Sequence, residues 1–114
     1  MKYIITLFTL MLLASFTFSH NSHGYSLDGD YKVGKTSCTI QWDDADQLYK
    51  VYWENGIGYT VLYYKNELPN GNRVYDEFSS DGKTYTGTFT FKNYKYLKGE
   101  YERADEKIFT VTKE

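Results

Sequence analysis

Between Thr84 and Phe91 the chain alternates strictly. Thr84, Thr86, Thr88 and Thr90 take the even positions, and Tyr85, Gly87, Phe89 and Phe91 take the odd ones. Successive side chains of a strand point to opposite faces of a sheet, so a period of two specifies a half-buried β-strand with one hydroxylated and one aromatic face. The next segment repeats the pattern, with Leu97, Gly99 and Tyr101 set against Lys98, Glu100 and Glu102. Two such neighbours predict antiparallel β-structure with one dry face.

Turn residues cut the rest of the chain into similar runs. Strands are predicted over 29–33, 37–42, 48–54, 59–65, 73–78, 85–91, 96–103 and 108–112. They are separated by Asp43-Asp44-Ala45-Asp46, Asn55-Gly56, Leu68-Pro69-Asn70-Gly71, Ser80-Asp81-Gly82 and Ala104 to Lys107. Asn-Gly and Asp-Gly tolerate the positive φ that tight hairpins require. The only Pro falls outside every strand, where its missing N–H costs no ladder bond. About eight short strands joined by short turns predict an all-β up-and-down meander. Open edges recruit other chains, so closure into a small barrel is the expected solution, with a rolled open sheet or a two-layer sandwich as the alternatives. Gly29-Asp30-Tyr31, Gly87-Thr88-Phe89 and Gly99-Glu100-Tyr101 each put a glycine and an aromatic on one face. Such a pattern suits a sheet that must bend to close.

The N-terminus reads as an export signal. Lys2 precedes an apolar run from Ile4 to Phe18, and the small residues Thr17 and Ser19 suit cleavage before His20. The run is shorter than the roughly 20 apolar residues a spanning helix needs, so no stable membrane anchor is expected. The domain plan is therefore a signal peptide over 1–19, a flexible segment over 20–28 and one barrel domain over 29–114, in a secreted or periplasmic protein. Cleavage would remove Lys2 and no acid, leaving the chain one unit more negative than its net charge of −2. A mildly acidic chain with no basic stripe does not suit nucleic acid.

The predicted architecture resembles small secreted meander barrels of the calycin type, of which lipocalins are the larger relatives. The resemblance is architectural. The chain carries no lipocalin signature and no biotin-site constellation.

Catalysis finds little support. The two histidines, His20 and His23, fall in the segment after the cleavage point, and a general base needs a fixed position. Cys38 is the only cysteine and shares a face with Ile40 and Trp42, which suits a small buried hydrophobe better than a nucleophile or an intermolecular bridge. Asp43, Asp44 and Asp46 offer hard oxygens, but they lack the spacing and distal acid of a calcium loop and read as turn residues. Neither a metal nor a cofactor is implied, and no enzyme is expected.

Binding is the better expectation. All but Tyr3 of the 13 Tyr lie beyond the signal segment, with Trp42 and Trp53. A barrel this small cannot turn them all inward. In the third and fourth strands Tyr52 is expected outside, and Leu62 and Tyr64 oppose Tyr59, Val61 and Tyr63. An apolar outer patch of Tyr52, Leu62 and Tyr64 would suit another secreted protein, as in an inhibitor or immunity-type factor. The first alternative is a small apolar-ligand carrier with an interior pocket, and the second is an enzyme of unknown class, which would need a convergent polar cleft. If Val74, Phe78, Gly99 and Tyr101 face inward, period two sends Asp76 and Arg103 inward too, as the polar floor of a pocket.

Overall fold

The computed structural model describes residues 25–114. The expected signal peptide, its cleavage site and both histidines lie outside the described residues.

Eight antiparallel strands close into one barrel: β1 (Gly29–Val33), β2 (Thr36–Asp43), β3 (Leu48–Trp53), β4 (Thr60–Glu67), β5 (Arg73–Ser79), β6 (Tyr85–Phe91), β7 (Lys98–Arg103) and β8 (Ile108–Lys113). Each strand pairs with the next, and β1 pairs with β8 through Tyr31, Lys32 and Val33. The meander read from the turns is therefore present and closed, and neither an open sheet nor a sandwich forms. Among the described residues, the one added element is a short 3-10 turn over Asn93–Lys95, between β6 and β7.

Alternation sets the interior. In β6, Gly87, Phe89 and Phe91 are buried while Thr86, Thr88 and Thr90 stay half-exposed. Cys38 and Ile40 of β2, Tyr49 and Val51 of β3, and Tyr101 of β7 join them in one core, with Trp42 and Trp53 packed against it. Phe89 and Phe91 stack in parallel, 5.5 Å apart. Two glycines mark close approaches in the wall. The Tyr101 ring occupies the space a Gly87 side chain would need, and a Cβ on Gly99 would collide with the Thr90 carbonyl of β6. Close approach is the role these contacts show for both positions.

The segment ahead of β1 is packed against the barrel. Leu27 lies in the core, 1% exposed, and its carbonyl accepts the Tyr31 hydroxyl at 2.7 Å. Asp28 accepts the Trp42 backbone N–H at 3.0 Å. Of the expected flexible segment 20–28, the described part therefore belongs to the folded domain.

Facing in β5 differs from the expectation. Tyr75 is in the core and Glu77 is 1% exposed, so these two point inward. Val74, Asp76 and Phe78 take the outer face, where Phe78 packs edge-on against Tyr63 and Tyr85. Both faces of β5 carry apolar side chains, so hydrophobicity alone could not orient the strand.

Candidate binding site at the barrel mouth

The turns 44–47, 68–72 and 92–97 lie at one end of the barrel, together with the chain leading into β1. There the interior opens into a cup of about 590 Å³ lined mainly by aromatic rings. Trp42 and Tyr49 meet edge to face with centroids 5.0 Å apart, Tyr49 and Tyr75 at 6.4 Å, and Tyr75 and Tyr64 at 5.4 Å. Tyr96 closes the arc against Tyr75 and Phe91. Tyr25 and Tyr94 pair at 5.8 Å on the rim. Leu62 is the buried aliphatic side chain of the lining.

One cation stands in this wall. Arg73 Nη1 donates to the Tyr96 hydroxyl at 2.9 Å, and that hydroxyl lies 3.1 Å from the Tyr75 hydroxyl. The bond to Tyr96 raises the Arg73 guanidinium further above its ordinary value, so the cup always carries this charge. Burial pushes the Tyr49 and Tyr75 phenols well above theirs, which keeps them neutral donors. Two lining residues hold left-handed backbone, Gln47 at φ 57° and Tyr96 at φ 58°. A bulky residue seldom adopts that region, and strain of this kind gathers at binding sites. The strained turn aims the Tyr96 hydroxyl at Arg73 and Tyr75. An amphipathic wall of this sort can bury an apolar group while its hydroxyls and guanidinium satisfy polar atoms at the edge.

The expected site residues scatter. Leu62 and Tyr64 come together in the cup. However, Leu62 is 2% exposed and faces the interior, which corrects its placement on an outer patch, and Tyr64 is 56% exposed on the rim. Tyr52 is on the outer wall beside Tyr59, at 6.0 Å, so no single patch unites the three. Asp76 also lies outside, where it accepts the Thr88 hydroxyl at 2.9 Å. Arg103 follows the inward register, but it stands at the opposite end of the barrel, stretched over Phe109 and paired with Asp105 at 2.7 Å. Asp76 and Arg103 therefore do not come together as the polar floor of an interior pocket.

Comparison with known proteins found no matching family model, curated protein or solved structure. The site must therefore be read from its own chemistry.

The interior acid is Glu77, which the sequence reading missed. Its carboxylate accepts from Trp53 Nε1 at 2.8 Å, Thr60 Oγ1 at 2.5 Å and the Tyr101 hydroxyl at 2.6 Å. Those donors come from β3, β4 and β7, so the acid ties four strands across the barrel. Three neutral donors can hold a buried carboxylate without a cation. Elsewhere, Lys50 takes both Asp43 and Asp46, and Asp44 accepts the Trp42 indole N–H at 2.6 Å. These carboxylates are engaged by the chain's own donors.

Proposed function

We propose that this is an exported, non-catalytic binding protein whose contact surface is the aromatic mouth of the barrel, and that its partner is another protein, as for an inhibitor or immunity-type module. The observation that carries the reading is the arc of Trp42, Tyr49, Tyr75, Tyr64 and Tyr96 around an open cup. Tyr and Trp supply most of the energy at protein contacts, most of all where a ring sits in a pocket that excludes water. Burial pushes the Cys38 thiol up to about 12, which does not suit a nucleophile.

A small-ligand carrier is the second reading, favoured by the volume of the cup, which falls within the range of small-molecule sites. The lining counts against an alkyl-chain ligand, because apart from Leu48 and Leu62 the apolar wall is aromatic. Native mass spectrometry on protein recovered from the exporting cell separates the two. A second polypeptide bound to the wild type and lost from Tyr64→Ala, at unchanged melting temperature, supports the protein partner. A bound small molecule of constant mass supports the carrier. A partner retained equally by Tyr64→Ala and by a Tyr94→Ala variant removes the mouth from consideration.

A further inference from the structure

The closed barrel has an open stretch. β3 pairs with β4 only through Tyr49↔Leu62, Lys50↔Val61 and Val51↔Thr60. Yet β4 continues to Glu67, paired over that length with β5 alone. From Tyr63 to Glu67 all five residues are exposed. The β3-side edge of this stretch therefore faces solvent with a strand's alternating N–H and C=O groups. It borders the cup, since Leu62 and Tyr64 line that cavity.

Resting on the reading of the mouth as a protein-binding site, we infer that the partner contributes an extended peptide, which adds a strand to the β4 edge over Tyr63–Glu67 and drops a large apolar side chain into the cup. Strand addition takes affinity from main-chain bonds and specificity from pockets for alternate side chains. The edge supplies the first and the cup the second. Charge selects further. Lys50 already holds Asp43 and Asp46, while among the described residues Arg73 has only Glu67 within ion-pair range, at 3.5 Å, and Lys65 is exposed on the edge. An acidic residue beside the apolar anchor complements this pair of cations. A second copy of the chain is a poorer occupant. The bulge between Tyr64 and Asn66, together with Lys65, breaks the edge into a short run, and bulges and edge lysines are devices that oppose long edge-to-edge pairing.

The test is a random-peptide phage library selected on the full exported protein, followed by amide exchange and binding measurements on the strongest peptide. The expected consensus is an aromatic or aliphatic anchor with a nearby Asp or Glu, and the bound peptide should slow amide exchange within Tyr63–Glu67. Antiparallel pairing engages only every second residue of the added strand. N-methylation at alternate peptide positions should therefore weaken binding about tenfold or more, and methylation at the intervening positions should not. If Tyr64→Ala abolishes binding while methylation is tolerated everywhere, the mouth remains the site and strand addition is wrong. If neither change matters, or no peptide is enriched, both the strand and the peptide-binding mouth are overturned. Protection that grows with protein concentration in the absence of peptide would assign the edge to a second copy and overturn the inference.

Discussion

Glu77 brings a carboxylate into the barrel with no cation in ion-pair range among the described residues, and its cost is offset by three hydrogen bonds from Trp53, Thr60 and Tyr101. Replacing it with Leu would strand those donors in an apolar interior, at about 1–3 kcal/mol for each unsatisfied group that cannot relax. Glu77→Leu should therefore lose about 2–5 kcal/mol in chemical denaturation, and Glu77→Gln, which keeps one acceptor, should lose less. Equal stability of Glu77→Leu and wild type would show that the network is dispensable. The buried phenols predict alkaline sensitivity. Burial raises Tyr31, Tyr49, Tyr75 and Tyr101 above the ordinary value. The unfolded chain then gives up these protons first, so above pH about 10 it binds fewer protons than the native state and stability falls as pH rises. Below that pH this contribution is fully present. The denaturation midpoint should hold steady from neutral pH up to about 9 and drop beyond about 10. A flat midpoint through that range would mean these phenols are not buried as a set. For Cys38, thiol titration should show no reaction in the native protein and one equivalent after unfolding.

At the scale of elements, β6 and β7 approach closely at Gly99. A Cβ on Gly99 would collide with the Thr90 carbonyl oxygen and lie 3.0 Å from the Phe91 Cα. Both are backbone atoms of the paired strand, so Gly99→Ala must push β7 off β6 and should cost about 1–3 kcal/mol. Phe89→Ala empties a fully buried site and should cost about 3–5 kcal/mol, with a loss below about 1 kcal/mol contradicting the facing of β6. The Phe89 prediction was legible beforehand, because strict alternation with Thr states which face is dry. All eight strands are found within two residues of the bounds the turns suggested. β5 was not legible in the same way. Arg73-Val74-Tyr75-Asp76-Glu77-Phe78 offers apolar groups on both faces, and Glu77 looks like the residue to leave in water. Its donors stand 17 to 24 positions away, where no local pattern can find them. β4 raised the same ambiguity, since only pairing with Tyr49 shows that Leu62 faces in.

For the whole molecule, Tyr31, Phe89 and Phe91 are fully buried and fill the middle of the barrel, with the aromatic cup at one end and a smaller hollow of about 190 Å³ beside Trp53, Arg103 and Phe109 at the other. The assembly of the cup explains why it was hidden. Trp42, Tyr49, Tyr64, Tyr75 and Tyr96 come from four strands and one turn, and only closure of the sheet makes them neighbours. The aromatic excess itself was plain in the composition, but the sequence pattern placed it on the outer wall around Tyr52 rather than at the end of the barrel. These two surfaces make opposite predictions for a bound partner. Hydroxyl-radical footprinting of the protein, alone and in complex with a polypeptide recovered with it from its native source, reads both at once. Oxidation of Tyr25, Tyr64 and Tyr94 at the mouth should fall on binding while that of Tyr52 and Tyr85 on the wall stays unchanged. Protection of Tyr52 and Tyr85 with the mouth still reactive would contradict the assignment.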